Sequence, residues 1–254
     1  MIIDAHLHAD TRPYEDFQKM RMGNVIGAIT CAHDPLKMEK SNVTLEHLHR
    51  IIYDEPKRAI KNDFKLFTAV GIHPRAIPQD YEVVLEKLKE FIFLDNVIAI
   101  GEIGLETTSQ LEQEVFIKQL KLADELKSNI IVHTPRTNKA EVTNTTIKLI
   151  NEYIDPKLVQ LDHIDYSIIN KVIDSEYNLA ITVQPLKMSV NDTVKMLDKY
   201  GCDKFVVDSD LSSAPSDPLS LPKLLHSLRL NNFKQKDIDK ITHKNIMKFH
   251  NINL

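Results

Sequence analysis

The stretch "IIDAHLH" (2–8) sets an apolar run directly against two histidines spaced one residue apart. Short, near-continuous apolar runs suit strands buried on both faces, as in a parallel sheet. Seven more runs follow it: "VIGAITCAH" (25–33), "LFTAVGIHP" (66–74), "VIAIGEIGL" (97–105), "IIVHTP" (130–135), "LVQLDHID" (158–165), "LAITVQP" (179–185) and "KFVVDSD" (204–210). Between them lie segments with apolar residues near helical period, among them "VTLEHLHRIIYDEPKRAIKND", "YEVVLEKLKEFIF", "QLEQEVFIKQLKLADELK" and "SIINKVIDSEY". This alternation points to an α/β fold with a parallel sheet. Eight runs over 254 residues predict a (β/α)8 TIM barrel, with residues 1–254 forming one domain. A doubly wound open sheet is the alternative, but no G-x-G-x-x-G follows the first run. The segment "LSSAPSDPLSLP" (211–222) is the candidate irregular functional loop.

Composition narrows the function classes. Lys and Arg number 32 against 36 Asp and Glu, for a net charge of −4, which argues against a broadly basic nucleic-acid surface. The two cysteines form no CxxC pair, so a disulfide framework is not expected and a reducing compartment fits. Asp4 and His6 interrupt the apolar start, so a signal peptide is not expected either. No run approaches a membrane span of about 18 residues. The expected location is cytoplasmic, without membrane partners.

Of the 11 histidines, His6, His8, His33, His73, His133 and His163 fall at the C-terminal end of a predicted strand. Those ends form the active-site face of a barrel. Glu102 and Asp210 sit at the same level on two further strands. Converging imidazoles and carboxylates fit a zinc or other transition-metal site. His6 and His8 lie at i and i+2 of a strand, so their side chains share a face and can grip one ion. The same H-L-H spacing recurs at His47 and His49, but in a predicted helix, where i and i+2 point to different sides. That second pair reads as helix surface or packing.

Taken together, "DAHLH", "GIHP", "GEIGLE", the helix "QLEQEVFIKQLKLADELK" leading into "IIVHTPR", and the closing "ITHKNIMKFHNI" resemble the TatD family of metal-dependent hydrolases, within the wider amidohydrolase-like superfamily. The resemblance spans nearly the whole chain. It implies two divalent ions (zinc, manganese, iron or magnesium), with His6 and His8 on one, Glu102 bridging, and His133 and His163 on the other. Asp210 would be the last ligand and the catalytic proton acceptor. Asp208 is the alternative, because "VVDSD" holds both. His73 and Arg136 are expected to face substrate, and His33 and Asp34 are candidate pocket residues. Three regions depart from the family pattern: "DHIDYS" after strand six, "DSDLSSAPSDPLSLP" after strand eight, and "HTPR", which displaces Arg136 by one position. All three lie on the substrate side.

The expected function is therefore metal-dependent hydrolysis with an activated water, on a small-molecule or nucleic-acid phosphodiester. Cleavage of a C–N or C–O bond is the alternative. A carbamylated-lysine site would mark it, but strand four offers Glu102 instead. A third reading is a non-catalytic metal-binding barrel.

Overall fold

The computed structural model describes residues 1–32 and 37–253. His33 and Asp34 lie outside the described residues. Eight parallel strands run in sequence order: β1 (Ile2–Leu7), β2 (Val25–Cys31), β3 (Lys65–Val70), β4 (Val97–Gly104), β5 (Ile130–His133), β6 (Val159–Leu161), β7 (Asn178–Thr182) and β8 (Phe205–Asp208). The last strand returns to the first. Leu7 bridges Leu211, the His8 amide donates to the Leu211 carbonyl at 2.8 Å, and the Asp210 amide donates to the His6 carbonyl at 3.0 Å. The barrel thus closes through the same residues that carry its candidate ligands.

Alternation divides the core in two. Ile3, Ala5, Ile29, Phe67, Ala69, Ala99, Ile131, Ala180 and Val206 pack together inside the barrel, with Ile246 and Ile252 from the C-terminal segment. Ile2, Leu7, Ile100, Ile103 and Val132 pack outward against the helices. Five of the inner residues are alanine or valine, which suits the narrow interior of an eight-stranded barrel.

Most helices follow the sequence reading: Tyr14–Met22, Tyr81–Phe91, Gln110–Leu126, Lys139–Tyr153, Val190–Tyr200 and Ser220–Leu230. Two depart from it. The helix expected over 43–63 is broken into Ser41–His49, a π-turn segment Arg50–Asp54, Glu55–Ala59 and a 3-10 turn Ile60–Asn62. Pro56 has no N–H for a carbonyl one turn back, and the widened turn falls just before it. The segment read as a helix over 167–177 keeps only one turn, Ile169–Val172. Among the described residues, no helix is long and apolar enough to cross a membrane.

One buried histidine belongs to the scaffold. His250 closes the last helix, Asn245–His250, and its Nε2 lies 3.3 Å from Gln160 Oε1 on β6. Burial pulls its pKa down to about 3, whereas an unfolded chain takes up that proton near 6.5. Its stabilising contribution is therefore complete above pH 6.5 and is lost as the pH falls from there toward 3. Chemical unfolding followed from pH 6 to pH 4 should show wild type losing about 1.4 kcal/mol per pH unit more than His250→Gln. Parallel profiles for the two proteins would contradict this assignment.

Candidate metal centre

The strands are shorter than the apolar runs, so His8, His73, His163 and Asp210 lie just beyond strand ends, in loops. Simple alternation would not aim every one of the strand residues inward. Ile3 and Ala5 face the interior, so His6 should face out. The β1–β2 register shifts between Asp4 and Leu7, which turns Leu7 outward and His6 inward. The same device operates on β4, where the register shifts between Ile100 and Ile103 and Glu102 turns inward. Irregularities of this kind re-aim a side chain at the rim of a barrel. Gly104 takes φ +141°, and a Cβ there would come within 2.8 Å of the His133 carbonyl. Only glycine lets β4 and β5 meet so closely at this point.

Two non-glycine residues at the site also adopt left-handed backbone, His163 at φ +61° and Asp210 at φ +41°. Such conformations cost about 1–3 kcal/mol each and persist only where neighbours enforce them. Lys139 Nζ donates to the His163 carbonyl, and Gln184 Nε2 donates to the Asp210 carbonyl at 2.6 Å.

The result is one buried cluster around Glu102, which is 3% exposed. Glu102 Oε1 lies 3.0 Å from His133 Nδ1 and 3.0 Å from His163 Nε2. Its Oε2 lies 3.6 Å from His6 Nε2 and 4.0 Å from His8 Nε2. His6 Nε2 and His8 Nε2 are 3.2 Å apart, and Asp210 Oδ1 is 3.2 Å from His8 Nε2. Ligands held about 2.0–2.1 Å from an ion in tetrahedral geometry stand about 3.3 Å from one another. The donor atoms are already spaced for that.

The hydrogen bonds behind the rings favour the same reading. His6 Nδ1 donates to Asp162 Oδ2 at 2.7 Å, and His8 Nδ1 to the Cys31 carbonyl at 3.2 Å. His133 Nε2 donates to Glu106 Oε2 at 2.9 Å. His163 Nδ1 lies 2.7 Å from Thr182 Oγ1. The Lys187 ammonium also approaches that nitrogen at 2.9 Å, but its closer partner is Asp210 Oδ2 at 2.6 Å. The outer nitrogens of His6, His8 and His133 each donate to an oxygen, which leaves their inner nitrogens to present a lone pair to an ion, whereas the outer nitrogen of His163 faces an ammonium and a hydroxyl that can both donate to it. Bare nitrogens 3.2 Å apart repel unless a cation lies between them, so the residues fit a metal centre.

His73 is the exception. Its Nε2 lies 3.5 Å from Glu102 Oε2, and it groups with Glu102 and His133 as a possible ligand set. Its Nδ1, however, accepts from the Arg75 amide at 3.1 Å. In the neutral ring the proton is then on Nε2, which makes His73 a donor toward the cluster.

The two aspartates of "VVDSD" separate cleanly. Asp210 reaches His8, and although burial pushes its pKa up, Lys187 and His8 hold it well below the usual carboxylate range. Asp208 is fully buried, and its carboxylate has no hydrogen-bond partner among the described residues. Burial and the neighbouring Asp162 push its pKa well up. Arg136 lines the cavity above the cluster, a space of about 250 Å³ that also borders Arg75, Glu106, Lys187 and Ser212 to Ala214. Among the described residues neither histidine of the second H-L-H pair joins a possible ligand set: His49 packs on Tyr53 and Phe91, and His47 Nδ1 is 3.8 Å from Asp10.

Sequence reasoning assigned no role to Glu106, Asp162, Gln184 or Lys187. Glu106 and Asp162 each neighbour a motif residue, which was a usable signal. Gln184 and Lys187 sit in a turn after β7 with no spacing that marks them.

A family model for TatD related DNase matches residues 3–251. An uncharacterized metal-dependent hydrolase of Methanocaldococcus jannaschii is 36% identical over 253 residues, 99% of this chain and 100% of that one. A TatD-like protein from Archaeoglobus fulgidus has a similar structure, with TM-score 0.85 at 27% identity over 98% of this chain and 100% of that one. A phosphotriesterase homology protein from Escherichia coli shares the fold at TM-score 0.71 and 16% identity, covering 98% of each chain.

If Asp162 sets the His6 tautomer, Asp162→Ala should weaken divalent-metal affinity about 10- to 100-fold. Competition against a fluorescent chelator measures this, and unchanged affinity would remove Asp162 from the centre.

Proposed function

This chain belongs to the TatD related DNase family, and from that premise we propose that it hydrolyses phosphodiesters at a centre of two divalent ions. It is a metal-dependent hydrolase. In our reading residues 1–254 act as one hydrolase domain, with His6, His8, Glu102 and Asp210 holding one ion and Glu102, His133 and His163 the other. The observation that carries this assignment is the gathering of His6, His8, His133 and His163 about the two oxygens of Glu102, with the outer nitrogens of His6, His8 and His133 each donating away from it. Divalent ions at such a centre bring the pKa of a bound water toward neutrality and offset charge on a phosphoryl oxygen.

The chain's own groups supply the rest. Asp210 takes the proton of the attacking water and returns it to the leaving oxygen. The water oxygen forms the new bond to phosphorus and the ester P–O bond breaks, which yields a phosphomonoester and an alcohol. His73 Nε2–H donates a hydrogen bond to the charge that builds on the phosphoryl oxygens. Glu106 holds the His133 ring with Nδ1 turned inward. Arg75 and Arg136, exposed at the mouth of the cavity, orient the anionic ester as it enters. A cavity of about 250 Å³ admits a small diester or the end of a longer strand.

Turnover of bis(p-nitrophenyl) phosphate, beside p-nitrophenyl acetate and an anilide, tests the bond type. The phosphate diester should be the preferred substrate. Glu102→Gln should lower its turnover by about 10²- to 10⁴-fold and also reduce bound metal, because both ions lose a shared ligand. Full turnover in that variant would defeat the mechanism. Preference for the ester or anilide would move the enzyme to the C–O or C–N class.

A further inference from the structure

The turn after β7 holds an ammonium group that the mechanism above does not use. Lys187 Nζ lies 2.6 Å from Asp210 Oδ2, and its side chain is 10% exposed. The turn that carries it is fixed by its own backbone: Lys187 N donates to the Gln184 carbonyl at 3.0 Å, and Met188 N to the Thr182 carbonyl at 3.1 Å. Gln184 ties the same turn to Asp210, donating to its carbonyl at 2.6 Å, and accepts from Arg136 Nη2 at 3.3 Å. Lys187 is therefore preorganised at the wall of the cavity rather than free to swing into solvent.

Charge balance says what this cation is for. Asp210 presents Oδ1 to His8 and Oδ2 to Lys187, whose ammonium also lies 2.9 Å from His163 Nδ1 at the edge of the ligand cluster. A single negative charge offsets either Lys187 or its share of a metal ion, not both. With the centre loaded, Lys187 carries surplus positive charge into a water-restricted cavity, where an unpaired ammonium is costly. A bound anion removes that cost, and a neutral carboxylic ester or amide does not.

We propose that Lys187 binds a non-bridging phosphoryl oxygen of the substrate and so biases the centre toward phosphoryl over acyl substrates. The proposal rests on the two-ion reading above. Lys187 acts as a fixed hydrogen-bond donor and point charge, and the proton of the leaving group still comes through Asp210. A cation placed where phosphoryl charge accumulates contributes more to a phosphoryl-transfer transition state than to attack on a neutral carbonyl.

The test is calorimetric titration of inorganic phosphate into the metal-loaded wild type, Lys187→Met and Lys187→Arg, with metal content measured on each sample. Lys187→Met should keep its metal and bind phosphate about 10- to 100-fold more weakly, the worth of one hydrogen bond between charged groups. Lys187→Arg should recover part of that loss. Equal phosphate affinity in wild type and Lys187→Met would overturn the proposal. So would metal loss in Lys187→Met that accounts for the weaker binding, since Lys187 would then only brace Asp210. Phosphate binding decides the role of Lys187 even in an enzyme that cleaves carboxylic esters alone. Turnover of bis(p-nitrophenyl) phosphate by the wild type decides the phosphodiester reading separately.

Discussion

Glu102 is a carboxylate buried where water cannot stabilise it, with its two oxygens turned toward two different sets of imidazoles. Burial alone would raise its pKa, but the rings of His6 and His133 hold it well below the usual range. A buried anion of this kind is tolerated only when it is paired and hydrogen-bonded. Much of the upper barrel meets that requirement. β1 and β4 shift register to deliver His6 and Glu102, the barrel seam passes through His6, His8 and Asp210, and Asp162, Glu106 and Thr182 orient the rings from behind.

The contacts behind the rings separate His73 from the other histidines around Glu102. His73 is as close to Glu102 as the ligand candidates are, and distance alone would count it among them. Its outer nitrogen accepts a hydrogen bond where those of His6, His8 and His133 donate, so it presents a proton inward. One backbone amide, that of Arg75, thereby places His73 among the donors. At the end of β8, Asp208 and Asp210 are two residues apart, yet only the second reaches His8, because the chain turns left-handed at Asp210 and carries its carboxylate up to the mouth.

Much of the architecture was legible in the sequence, because strands buried on both faces leave continuous apolar runs and the chain alternates them with helical periods. The eight strands fall inside the eight runs with one residue's difference at β3 and one at β7. The histidines at the run ends gather as expected wherever they are described. The separation of the two H-L-H pairs was legible too, because it depends only on strand and helix periodicity. The register shifts were not. Alternation counted from Ile3 gives the wrong face for His6, and its ring still meets that of His8 at 3.2 Å because a bulge reverses the count. Lys187 and Gln184 act through a turn whose closure is set by backbone hydrogen bonds, and residue identity does not encode those. Pro56 could have signalled the broken second helix, but a helical period continues on both sides of it and hides the widened turn.

The central claim is that Glu102 bridges two ions. Anomalous diffraction from crystals of the manganese- or zinc-loaded protein tests it most directly. The account predicts two peaks about 3.5–4 Å apart, one against each oxygen of Glu102, the first also touching His6, His8 and Asp210 and the second His133 and His163. A single peak, or a pair in which Glu102 touches only one, would contradict it.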